Sequence, residues 1–174
     1  MKADKISKIG IVMIFAAWGL FLGLLTYFFH NWYMVRENPN KRVQSLVLQD
    51  GSRQIILKAN YQSQFFANGF VNKQRATFLI DTGATHVVIS EKLAKALKLK
   101  VGTKVLAKTA GGDSFVRTAD LNEIQIGNIK LRHVPAVVSK DIDEAYILLG
   151  MSALKHLDLE RKNNTLTLTL PFER

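Results

Sequence analysis

The sequence predicts a mainly β protein: a closed β-barrel with one or two short helices, preceded by an N-terminal helix that crosses a membrane. Three observations carry this. Ile9 to Phe29 is a run of 21 residues without a charge. From Ser45 onward, short apolar stretches alternate with tight-turn signals, as strands joined by hairpins do. Helical spacing of apolar residues is confined to two short segments, too little for a helical fold.

The elements follow in order along the chain. Residues 1–8 form an N-terminal tail with Lys2, Lys5 and Lys8 against Asp4, which favours the inner side of a membrane. Residues 9–29, as a helix, span about 30 Å, the hydrocarbon thickness of a bilayer. Trp32 and Tyr33 follow where an interfacial aromatic belt belongs. A cleaved signal peptide ends in small residues. This run ends in Tyr27, Phe28 and Phe29, so an uncleaved anchor is expected. Residues 30–44 are polar, contain Asn38-Pro39-Asn40 and read as a linker.

The domain expected over 45–174 contains five hairpins. Ser45–Gln49 and Arg53–Ala59 flank Asp50-Gly51, a strong turn pair. Gln64–Val71 and Arg75–Ile80 flank Asn72-Lys73. Thr103–Thr109 and Ser114–Thr118 flank Gly111-Gly112, Leu121–Ile126 and Ile129–Val134 flank Gly127-Asn128, and Leu157–Glu160 and Thr165–Leu170 flank Lys162-Asn163-Asn164. Val87–Ile89 is a further short strand. Ser90 is placed to cap a helix over Glu91–Leu97, with Leu93 and Leu97 on one face. Tyr146–Leu149 is apolar, and Met151–His156 reads as one or two helical turns.

Composition narrows the chemistry. The chain has no cysteine, which excludes disulfides, thiolate metal sites and a cysteine nucleophile. The net charge is +10, and after position 44 the basic residues are scattered. That pattern reads as a solvated surface or as attraction to anionic lipid headgroups. Nucleic acid is not an expected partner for a domain outside the cytoplasm. The histidines at 30, 86, 133 and 156 show no ligand spacing, and no Gly-x-Ser-x-Gly is present. Asp141, Asp143 and Glu144 read as a solvated loop, or as oxygen ligands for a hard cation. No metal and no cofactor are expected.

The segment that points to chemistry is Phe78-Leu79-Ile80-Asp81-Thr82-Gly83-Ala84-Thr85. An apolar strand delivers Asp81 to the edge of a low-dielectric interior, where an ionised carboxylate needs compensation. Gly83 lacks a Cβ, so its N–H can approach that carboxylate. Thr82 offers a hydroxyl, and Ala84 keeps the turn compact. The plain alternative is an aspartate that caps a turn.

This segment resembles the active-site signature of retropepsin-like (clan AA) aspartic proteases, the group that includes retroviral proteases and pepsin. Two further features match in order. Thr109 to Phe115 is similar to the family's glycine-rich flap, and Ile147 to Leu154 to its late apolar pair, glycine and short helix. With the anchor, the chain resembles bacterial membrane-anchored members. The flap has no tyrosine or tryptophan at its tip, and Met151-Ser152 replaces the charged or amide residues often found in viral members. The resemblance implies that Asp81 is catalytic and that Thr82, Gly83 and Ala84 form the active-site loop. It implies that Ala110, Gly111, Gly112, Asp113 and Ser114 form the substrate-binding flap, and that Leu148, Leu149 and Gly150 support the loop. It also implies a homodimer acting on polypeptides, held in a bacterial inner membrane with the C-terminal domain in the periplasm. The other function class is a peptide-binding module that keeps the fold without cutting.

Overall fold

The structure is a computed structural model that describes residues 2–109 and 112–172. It divides into two units, one ending at Glu37 and one beginning at Asn38. The first is a single helix, α1 (Lys2–Glu37), which contains an apolar stretch, Ile9–His30, long enough to cross a bilayer. Membrane spans and signal sequences share that property. The helix continues past the apolar run into residues 30–37, where the sequence suggests a linker. Nothing there breaks it: the first proline is Pro39, and a proline disfavours helical backbone in the residue before it.

The second unit is built from β1 (Gln44–Val47), β2 (Arg53–Lys58), β3 (Phe66–Val71), β4 (Gln74–Ile80), β5 (Val87–Ser90), α2 (Glu91–Ala96), β6 (Val101–Thr109), β7 (Gly112–Ile126), β8 (Ile129–Ser139), β9 (Ile147–Leu149), α3 (Met151–Leu154), β10 (Asp158–Lys162) and β11 (Thr165–Leu170). One sheet has the order β1-β2-β11-β10. The other runs β3-β4-β9-β5-β8-β7-β6, and β3 also pairs with β7, which closes it into a barrel. Closure brings two backbones close: a Cβ on Gly69 would collide with the carbonyl of Gln125 and lie 2.9 Å from the Phe78 ring.

All five expected hairpins are present as antiparallel pairs. Asn72 and Lys73 both take positive φ (49° and 68°), the twist that joins two strands through a two-residue turn. Strict alternation in Thr165–Leu170 buries Leu166 and Leu168. The barrel interior is filled by Phe78, Leu121, Ile124, Ile147 and Leu149, with Leu154 of α3, all at most 1% exposed.

Two strands are longer than the sequence suggests. Ser114–Thr118 and Leu121–Ile126 are parts of one strand, β7, because its first part pairs with β6 and its later part with β8, so Ala119 and Asp120 are spanned. Strand β8, expected to stop before Pro135, continues to Ser139. Strand β5 joins β8 only from Ala136, so Pro135, which lacks an N–H, precedes that ladder.

Candidate active site

Strand β4 carries Phe78, Leu79 and Ile80 alongside β9, in parallel register with Ile147, Leu148 and Leu149. The next residue, Asp81, leaves the sheet. Its N–H donates to the Leu149 carbonyl at 3.1 Å, so the last ladder bond fixes the start of the loop. The carboxylate Oδ1 accepts the Gly83 N–H at 2.9 Å, and the Ala84 N–H reaches the Asp81 carbonyl at 3.4 Å. A Cβ on Gly83 would stand 3.2 Å from that carboxylate oxygen. Asp81 is half-buried, while Thr82 and Gly83 are exposed and Ala84 is half-buried.

The loop from Asp81 to His86 crosses β9 to reach β5, because β9 lies between β4 and β5 in the sheet. Gly150 sits where the chains cross. A Cβ there would collide with the His86 carbonyl oxygen and lie 2.6 Å from that of Ala84. The N–H groups of Met151 and Ser152 then bond the carbonyls of Ala84 (2.8 Å) and Thr85 (2.9 Å). The first turn of α3 thus holds the 81–86 loop through its backbone.

Ser152 completes the clamp. It is buried; its hydroxyl accepts the Val87 N–H at 2.9 Å and donates to the Pro135 carbonyl at 2.7 Å. One side chain therefore ties the end of the loop to both β5 and β8. In the sequence Ser152 stands out only as a departure from viral relatives. Its signal is a small hydroxyl one residue into a helix, beside an apolar strand end.

Asp81 and Thr82 line a surface cavity of about 490 Å³ together with Gln64, Phe65, Leu79 and Arg161. The Arg161 guanidinium lies 5.4 Å from the centre of the Phe65 ring, within reach of a cation–π contact. Beyond these, Phe66 and Tyr146 meet edge to face at 5.3 Å. Burial pushes the Tyr146 phenol above its ordinary range, and the charge of Asp143 adds to that.

The loop-support residues are brought together with Asp81: Leu148 pairs with Leu79 and with Val88, Leu149 with Ile80, and Gly150 underlies the loop. The expected flap is described only in part. Ala110 and Gly111 lie outside the described residues. Gly112 (φ 108°) is exposed, Asp113 stands opposite Lys108, and the Ser114 hydroxyl donates to Asp141. None of Gly112, Asp113 and Ser114 lines the Asp81 cavity.

The acidic loop does not converge. Asp141 takes the Ser114 hydroxyl, Asp143 accepts the Ala145 N–H at 2.8 Å, and Glu144 pairs with Lys92 at 2.6 Å. Among the described residues, no three histidine, aspartate or glutamate side chains are grouped as a metal would need.

The chain is similar to several known proteins. A family model described as gag-polyprotein putative aspartyl protease matches residues 67–156. A retropepsin-like aspartic protease from Rickettsia conorii has a similar structure, with a TM-score of 0.57 and 27% identity, covering 74% of this chain and 95% of that one. An EIAV protease solved with an inhibitor gives a TM-score of 0.47 at 20% identity over 57% of this chain and 92% of its own. A curated protein from Sinorhizobium, an uncharacterized protein in the cobV 5′ region, is 27% identical over 113 residues, which are 63% of this chain. The match spans 48% of that relative, about half its length.

Proposed function

Since the chain belongs to the gag-polyprotein aspartyl protease family, we propose that it is an aspartic endopeptidase in which two copies each contribute Asp81 to one active site. The observation that carries this reading is Asp81 itself. It ends an apolar strand, it is gripped by the Gly83 N–H, and it opens on a cavity, while the loop behind it is pinned by Gly150 and Ser152. Asp-Thr-Gly occurs once in the 174 residues.

Two carboxylates close together cannot both ionise, so the pair shares one proton, as aspartic-protease dyads in general do. The ionised member takes a proton from water, and the protonated member donates to the substrate carbonyl. The tetrahedral gem-diol then collapses, with the proton passing to the leaving amine. Thr82, Gly83 and Ala84 shape the loop. Residues 110–114 cover the substrate as a flap, and Leu148, Leu149 and Gly150 brace the loop from behind.

The same reading places residues 1–8 inside a bacterial inner membrane, 9–29 across it, and the protease domain, residues 45–174, in the periplasm, joined through 30–44. Its support is the charge-free apolar stretch and relatives of bacterial origin. The test is cleavage of an unfolded protein by full-length chain in lipid, beside Asp81→Asn. The variant should keep the fold and lose proteolysis. Cleavage by a clean Asp81→Asn preparation rejects the assignment. Equal binding of peptides by both forms, with cutting by neither, supports the peptide-binding module instead.

A further inference from the structure

We propose that a basic groove on the barrel, formed by Lys41, Arg42 and Arg75 beside Phe70 and Leu93, holds the phosphate headgroups of anionic lipids. The proposal rests on the reading of α1 as a membrane anchor and adds a second, specific contact with the same bilayer. The groove encloses about 620 Å³ and lies within the second unit. It is separate from the Asp81 cavity and shares no lining residue with it.

Its charge is uncompensated. Lys41, Arg42 and Arg75 are exposed, and among the described residues none of them forms an ion pair. No carboxylate lines the groove. Phe70 adds an aromatic surface that is 38% exposed although it sits in a strand, and Leu93 is half-buried. Cations at an apolar wall match a phosphate joined to an acyl chain, and the volume is in the range of ordinary ligand sites.

The groove is also held in place. Asn40 is 4% exposed; its side-chain amide donates to the carbonyls of Lys58 (2.8 Å) and Phe66 (2.7 Å), and its Oδ1 accepts the Lys58 N–H at 2.8 Å. Asn38 Nδ2 donates to Asn68 Oδ1 at 2.9 Å, and Asn68 Nδ2 reaches the Lys41 carbonyl at 3.5 Å. Lys41 and Arg42 therefore leave a fixed point rather than a loose linker. Only four residues lie between Glu37, the end of α1, and Arg42, a reach of at most about 18 Å along the chain. With α1 read as an anchor that runs on to Glu37, Arg42 is tethered within about 30 Å of chain reach of Phe29. Each basic residue close to an anionic leaflet strengthens attachment by roughly fivefold.

The chain has no cysteine, so one introduced thiol is a unique reporter. Full-length Phe70→Cys is reconstituted in vesicles of phosphatidylcholine alone, or of equal parts phosphatidylcholine and phosphatidylglycerol, and labelled with an uncharged water-soluble maleimide. Leu106→Cys, exposed on β6, is the control. The expected result is labelling at Phe70→Cys slowed by at least about fivefold in the anionic vesicles, unchanged labelling at Leu106→Cys, and restored labelling when Lys41, Arg42 and Arg75 are all replaced by alanine. Equal rates in both vesicles, or equal slowing at both positions, overturns the proposal. So does equal protection by soluble polyglutamate in phosphatidylcholine vesicles, which would assign the groove to acidic polypeptide. Flotation with phosphatidylcholine vesicles separates the two readings: a chain that floats without the labelling difference keeps its anchor and loses the groove, and a chain that does not float loses both.

Discussion

Replacing Ser152 with alanine isolates the clamp behind the 81–86 loop. The Val87 N–H is buried in a residue with no exposed surface, and the Ser152 hydroxyl is its partner at 2.9 Å. The variant leaves that donor unsatisfied and takes the hydroxyl from the Pro135 carbonyl as well. A buried donor without a partner costs about 1–3 kcal/mol, and the second lost bond raises the expected total to roughly 2–4 kcal/mol. At about 3 °C per kcal/mol for a domain of this size, the melting temperature should fall by roughly 6–12 °C. Loosening the 81–86 loop also misplaces Asp81, so cleavage per folded chain should fall by roughly tenfold or more. Calorimetry suits the melt, because both tryptophans, Trp18 and Trp32, lie in α1 and neither is part of the barrel. Ser90→Ala is the comparison: Ser90 caps α2 by accepting the Leu93 N–H at 3.2 Å. Loss of that cap should cost about 1 kcal/mol and leave activity per folded chain unchanged. If Ser152→Ala melts no lower than Ser90→Ala and cleaves as wild type does, the clamp is refuted.

Gly150→Ala should be harsher, since the new Cβ meets backbone carbonyls of His86 and Ala84 that cannot move aside cheaply. We expect a loss of more than about 4 kcal/mol, read as failure to give a cooperative melt. Tyr146 gives a pH prediction. Its folded pKa is raised, chiefly by burial, so the stability it contributes is fully present below the unfolded value of about 10 and lost as pH rises through the folded one. Tyrosinate absorbance should show one late-ionising phenol that is missing in Tyr146→Phe, and the stability of that variant should decline less above about pH 10.

Much of the fold was legible because short-range rules governed it. Asp50-Gly51 and Asn72-Lys73 carry turn chemistry in two residues, and the run Phe78–Thr85 carries both strand and loop. What was not legible depended on distant partners. Continuity of β7 through Ala119 and Asp120 comes from β6 and β8 lying alongside, and the strand beyond Pro135 comes from where β5 begins. Asn40 reads as a linker residue until its amide is seen bridging Lys58 and Phe66. Ser152 reads as an ordinary helical serine until the topology brings Val87 and Pro135 to it. The continuation of α1 to Glu37 was readable in principle, since Pro39 is the first residue that breaks it.

The central claim is that one active site needs Asp81 from two chains. The most direct measurement mixes full-length wild type with Asp81→Asn in the same lipid and follows cleavage per wild-type chain. If copies exchange and pair at random, a tenfold excess of the variant should reduce activity per wild-type chain by roughly tenfold, because nearly every wild-type Asp81 then faces an asparagine. Activity per wild-type chain that stays constant across the mixing series, in a preparation where exchange is verified by cross-linking, would contradict the shared site.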